Sequence, residues 1–285
     1  MKRLLLYTAV ALTCITSHSQ NKIPAQIKAQ YTFTEVRRHV DGHDFKDSND
    51  MILYASPVGS RFYSPYTEQY DSLMATPGGR DKYKDMLSYA ASNALIVENG
   101  GITFDRNKVN IPSIAKRTQV TKPDDEEFLT VIDYAAQEDF TYTVPMSDLK
   151  WVLIDDFKTI LGFNCQKAMA DYHGRRWWAW FATDIPVSSG PWQLMGLPGL
   201  IMEAETDGGE YRFVITGLEQ VNQHITPRPG NHSYTKIDRK SFRKLQWEIC
   251  NNPEKAYPDG KTKIINKQES IAAQTAHDLI ETDYH

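Results

Sequence analysis

The segment Arg175-Arg176-Trp177-Trp178-Ala179-Trp180-Phe181-Ala182 constrains this chain more than any other. Read with the two-residue period of a strand, Trp177, Ala179 and Phe181 face one way while Trp178, Trp180 and Ala182 face the other. A strand apolar on both faces predicts a central place in a sheet, with helices or a second layer over each face. With Trp192 the segment also gathers guanidinium groups and indoles, the ingredients of a stacking platform for a sugar, a peptide aromatic or a cofactor. The simpler reading is core, with Arg175 and Arg176 at the exposed start of the strand.

The surroundings read as consecutive strands with short connections. Ile27, Ala29, Tyr31 and Phe33 alternate with polar residues, and Asp50–Tyr54 and Arg61–Ser64 are two further short strands. Residues 65–79, with Pro65, Pro77, Gly78 and Gly79, read as a connection. Asp81–Ala94 switches to helical spacing, and Asn99-Gly100-Gly101 is a turn signal. Phe128–Tyr134, Phe140–Val144, Leu149–Asp155 and Cys165–Tyr172 follow as strands, with a turn at His173-Gly174. Leu200–Glu205 and Glu210–Thr216 flank Asp207-Gly208-Gly209 as a hairpin. Asp238 is a predicted N-cap for a helix through Phe242, Leu245, Trp247 and Ile249 that Pro253 ends, and Lys267–Glu281 is a second C-terminal helix. The expected class is α+β: a mainly antiparallel curved sheet, a meander or half-barrel, covered by helices from the middle and C-terminal segments.

The first residues address the chain. Lys2 and Arg3 precede the short apolar run Leu4–Leu12, and Ser17-His18-Ser19 fits a small-x-small cleavage site. Residues 1–19 thus form a predicted secretory signal peptide, too short to span a bilayer, and residues 20–285 one domain with a helical extension from about 238. A rival reading makes Cys14 a lipidated N-terminus, against a poor lipobox at Ala11-Leu12-Thr13. No later segment approaches transmembrane length. The formal net charge of −4 over 285 residues gives no electrostatic reason to expect nucleic acid. In an oxidising compartment Cys165 and Cys250 are a candidate disulfide, closing a loop of about 85 residues worth roughly 4 kcal/mol; the alternative is two separate thiols.

Gly196-Leu197-Pro198-Gly199-Leu200-Ile201 spells the signature of the GLPGLI family of exported Bacteroidetes proteins, which this chain resembles over roughly a hundred residues. Lys158–Ala168, Gly174-Arg175, Ala179-Trp180-Phe181 and Asp184–Trp192 stand in the family's order. The resemblance implies a periplasmic or outer-membrane-associated protein with a TonB-dependent transport component as a candidate partner; it implies no activity and no catalytic residues. Physically the signature is turn chemistry, Pro198-Gly199 bending the chain while Leu197, Leu200 and Ile201 anchor it. Such a fixed loop can also hold a ligand.

Catalytic motifs are missing. There is no Gly-x-Ser-x-Gly, His-Glu-x-x-His or phosphate loop, and no cofactor is expected. Ser147-Asp148-Leu149-Lys150 matches Ser-x-x-Lys but leads into a strand rather than a helix. His39, Asp41 and His43 share one face of an extended strand but lack a metal-ligand spacing. The leading expectation is an exported binding or accessory protein for a small apolar or peptide ligand, with Arg175, Arg176, Trp178, Trp192, Pro198 and Gly199 as candidate contacts. The alternatives are a hydrolase using dispersed acids or histidines, and a metal-handling protein.

Overall fold

The alternation at Ile27–Phe33 belongs to a longer strand, β1 (Ile23–Arg38), in which Ile23, Ala25, Ile27, Ala29, Tyr31 and Phe33 are all buried. The computed structural model describes residues 22–38, 44–98, 101–105, 108–109, 111–112, 116–123, 127–226, 234–257 and 279–284. The leader, Cys14, the His39–His43 stretch, Asn99-Gly100 and residues 267–278 of the expected last helix lie outside the described residues.

After β1 come β2 (Asp44–Ala55) and β3 (Ser60–Tyr63), then helices α1 (Pro65–Met74) and α2 (Gly79–Asn93). Residues 65–74 are therefore helical rather than a plain connection. Pro65 occupies the first turn, where its missing N–H has no intrahelical partner to lose. A separate hairpin, β4 (Leu95–Glu98) and β5 (Gly101–Phe104), follows. Then come β6 (Gln119–Lys122), β7 (Phe128–Ala135), β8 (Glu138–Pro145), β9 (Val152–Ile160), β10 (Phe163–Tyr172), β11 (Arg175–Ala182), β12 (Leu200–Thr206), β13 (Tyr211–Ile225) and β14 (Thr235–Lys236). Helix α3 (Arg239–Asn251) is last, capped at Asp238, whose carboxylate accepts from the Ser241 N–H at 3.0 Å.

Twelve strands form one large open, curved sheet in the order β14-β8-β7-β6-β3-β2-β1-β13-β12-β11-β10-β9. Every pair is antiparallel except β14 beside β8. The long pairing of β1 with β13 joins the two halves of the chain. It sets Phe33 opposite Phe213, with ring centroids 4.6 Å apart, and Tyr31 opposite Ile215. These cross-strand pairs fix the register, because a one-residue slip would turn every buried side chain of β1 to water.

On β11 the expected alternation holds from Trp177 to Phe181, but Ala182, expected on the outer face, is fully buried after a register shift against β12, and the cover differs. Trp177, Ala179 and Phe181 are fully buried on the inner face, while Trp178 and Trp180 lie half-buried on the outer one. Among the described residues, no helix or second layer covers the outer rings. Cations from the neighbouring strands do: Lys167 lies over both indoles and Lys158 over Trp180, at 4.5–5.4 Å from the ring centroids. The Trp178 Nε1–H donates to Asp207 at 2.9 Å. The aliphatic stems of lysines shield apolar surface while their charges stay wet, so one solvated face needs no second layer. β11 is third from the β9 edge rather than central.

The helices divide their work. Phe242 of α3 is fully buried against Phe140 and Tyr142 of β8. α2 instead builds a satellite core, in which Ala90 and Ala94 pack with Val109 and Ile111. The bridge between Cys165 and Cys250 is not formed. Cys165 is on β10 near one end of the strand order, whereas Cys250 ends the helix that packs on β8 near the other.

The Gly196–Ile201 bend is a corner of the core. Leu197, Leu200 and Ile201 are buried and Pro198 is exposed. Gly196, at φ +89°, supplies the left-handed backbone. Gly199 does not; its need is space, since a Cβ there would stand 2.1 Å from the Ala182 carbonyl oxygen.

Candidate functional site

On the inner face, between the sheet, α3 and the C-terminal segment 279–284, lies a cavity of about 260 Å³. Phe33, Met51, Phe62, Trp192 and Phe213 give it an apolar wall, and Leu279 and Ile280 close part of it. Alternation on β1, β2 and β13 delivers Phe33, Met51 and Phe213, whose chain neighbours are more exposed, and Phe62 comes from β3. Trp192 comes from the loop between β11 and β12, buried and held at φ +54°, a conformation that a non-glycine residue keeps only when its surroundings impose it.

Four charged side chains also reach the wall: Glu35, Lys116, Asp133 and Arg243. They are paired. Lys116 Nζ is 2.7 Å from a Glu35 oxygen, and Arg243 Nη1 lies 3.5 Å from Asp133. Burial pushes the Asp133 carboxyl above its ordinary value, against the pull of Arg243.

Behind the wall is a buried polar network. Glu281, with no exposed surface, accepts from Arg243 Nη2, from Arg239 Nη1 at 2.6 Å and from Gln193 Nε2 at 3.0 Å. Arg239 also grips Asp283 at 2.6 and 2.7 Å, and Arg243 donates to the Tyr142 hydroxyl at 2.7 Å. Both nitrogens Nε and Nη2 of Arg175 donate to the Leu279 carbonyl. The Thr282 N–H donates to the His173 carbonyl at 2.9 Å. The C-terminal strap is thus clamped between α3 and the β10–β11 turn, which fixes Leu279 and Ile280 at the cavity.

Burial alone would raise the Glu281 carboxyl, but Arg243 and Arg239 outweigh it and hold it below the ordinary range. Burial likewise works against Asp283, and its bonds to Arg239 win. His173 goes down: burial disfavours its cation, and the nearby carboxylates do not compensate. An unfolded histidine takes up its proton near 6.5, so the stability carried by neutral His173 is complete above that pH and declines below it. The stability carried by Glu281 and Asp283 is present above 4.5 and 3.8 and is lost as pH falls through their lower folded values. Asp133, shifted upward, works in the opposite sense and offsets part of that second loss. The expected result is an unfolding midpoint that falls in two stages on acidification. His173→Gln should remove the first stage and keep the second; a wild type flat down to pH 4.5 would contradict this assignment.

His173, Glu281 and Asp283 also bring ligand-type atoms within 4.8 Å of one another. Both carboxylates already neutralise guanidinium groups, so a metal ion would have to displace Arg239 or Arg243. The two carboxylates belong to an ion-pair network with Arg239 and Arg243. A larger hollow, about 730 Å³, runs past Ile27, Phe163, Ile185 and Leu218, and among the described residues Asp184 is the one ionisable side chain that lines it.

The residues singled out from the sequence part company here. Trp192 is in the cavity wall. Arg175 stands behind it, its guanidinium 4.9 Å from the ring centre of Tyr211, another wall residue. Arg176 is on the outer face in a two-point bond with Asp171, and Trp178 is beside it. Pro198 is exposed and Gly199 is packed against Ala182. Those six do not form one site. Sequence reasoning missed Glu35, Lys116, Asp133, Arg243 and Glu281, which come from five separate segments; only the inward stripe of β1 and β13 hinted at Phe33 and Phe213.

A family model described as a protein of unknown function (Porph_ging) matches residues 173–203, from the β10–β11 turn into β12. No curated protein matches the chain. Among solved structures, PNGF-II shares 11% identity over 79% of this chain with a TM-score of 0.49, and the chain spans about a third of that protein's length, 33%. A LolA superfamily protein of Nitrosomonas europaea shares 6% identity, over 70% of this chain and 88% of its own, with a TM-score of 0.24. A DUF1329 family protein of Desulfovibrio piger shares 8%, over 69% and 86%, with a TM-score of 0.20.

Proposed function

We propose that this chain is an exported binding protein of GLPGLI type that holds a small, mainly apolar or aromatic ligand in the inner-face cavity. The observation that carries the reading is the cavity itself: a volume of about 260 Å³ walled by five large apolar side chains, with its charged groups already paired. That volume is just under the ~300–1,000 Å³ of ordinary small-molecule sites, which favours a compact ligand. The leader-like residues 1–19 support export to the periplasm or the outer membrane, with residues 20–285 as the working domain. A TonB-dependent transport component is the partner implied by the resemblance.

Native mass spectrometry of protein purified gently from exporting cells tests this, together with fluorescence titration of the neutral probe N-phenyl-1-naphthylamine. The expected result is a bound small molecule or saturable probe binding, lost in Ile280→Trp, which fills the cavity, without a change in unfolding midpoint. Neither adduct nor probe binding would end the proposal.

One observation favours a second reading, hydrolysis. Asp133 is a buried carboxylate with a raised pKa in the cavity wall, the profile of a general acid. Turnover of nitrophenyl esters or glycosides that Asp133→Asn abolishes would establish it; inertness toward both panels would leave binding alone.

A further inference from the structure

Eight large apolar side chains stand exposed among the described residues, and four of them, Val152, Leu153, Phe157 and Leu161, fall on β9 or the turn after it. β9 ends the strand order, so its outer edge carries no strand among the described residues. It is nine residues long, whereas the opposite edge, β14, has two. Val152 and Leu153 are consecutive and about half exposed, so both faces of the edge are apolar. Sheets avoid a long apolar edge unless another strand pairs with it.

The charges select the partner strand. In an antiparallel pair of identical strands, an axis through Asp155, Asp156 or Lys158 sets a like charge opposite itself. Among the residues of β9, only an axis through Phe157 sets opposite charges against each other. It sets Phe157 against its own copy and Asp156 opposite the partner's Lys158. Asp156 and Lys158 already point into the ion-pair rows of the outer face, Asp156 toward Lys167 at 3.6 Å and Lys158 toward Glu203 at 2.7 Å. The new pairs would continue those rows across the axis. The register shift between β9 and β10 falls between Ile154 and Phe157, so the symmetry places one shift on each side of the axis and both strands bend alike.

We propose that two copies of this chain pair β9 to β9, antiparallel about a two-fold axis through Phe157, joining their sheets edge to edge. Sedimentation of the protein tests it. Wild type should be dimeric, and Phe157→Lys, a change at an exposed position, should raise the dissociation constant about tenfold or more with the unfolding midpoint unchanged. Under mild oxidation Phe157→Cys should cross-link to itself, whereas Asp155→Cys should cross-link only when mixed with Thr159→Cys. A wild type still monomeric at about 100 µM, a dimer indifferent to Phe157→Lys, or self-linking by Asp155→Cys as readily as by Phe157→Cys would each overturn the proposal.

Discussion

Glu281→Ala should destabilise the protein by about 3–5 kcal/mol, the cost of leaving a buried guanidinium without its partner. Arg243 is 3% exposed, Glu281 lies against it, and the same carboxylate accepts from Arg239 and Gln193. Removing it strands one buried cation, weakens a second and frees the strap that carries Leu279 and Ile280. The remaining acid near Arg243, Asp133 at 3.5 Å, is too loosely placed to take over. Urea unfolding measures the loss, and probe binding should weaken with it. The pair Glu281→Ala with Arg243→Met should recover much of the stability, because replacing both charges removes the desolvation penalty that breaking the pair exposes. A single variant within 1 kcal/mol of wild type would mean that the strap is held by its backbone bonds.

Trp177→Ala should cost a similar 3–5 kcal/mol, through an emptied volume rather than an unpaired charge. The ring has no exposed surface, and it packs 5.4 Å from Trp192 and 6.2 Å from Phe213, both cavity-wall residues. Its loss should enlarge the cavity and weaken a compact ligand's fit. Trp180→Ala, three residues on, should cost about half as much or less, since its ring already meets solvent and loses chiefly cation–π contacts with Lys158 and Lys167. Equal costs in denaturant unfolding would show that the two faces of β11 are equally buried, contrary to this structure.

Much of the strand pattern was legible because alternation is a local signal. The hairpin around Gly209, the turn at His173-Gly174 and the cap at Asp238 each involve groups within a few residues of one another. Pro65 misled because the same residue suits a loop or the first turn of a helix, and only the packing of α1 decides between them. The outer face of β11 misled for a related reason. Its indoles read as core until Lys158 and Lys167 arrive from β9 and β10 to cover them.

What the amino-acid order by itself determined is therefore most of the longer strands, the inward stripe of β1 and the anchored Leu197–Ile201 corner, since periodicity and turn chemistry act over one to four residues. The tertiary structure alone decided the strand order, with β1 against β13, and the meeting of Glu35, Asp133, Arg243 and Glu281 around one cavity. Charges far apart along the chain leave no periodic trace. Arg243 in particular sits one residue after the buried Phe242 and reads as an ordinary surface cation until Glu281 and Asp133 are folded against it.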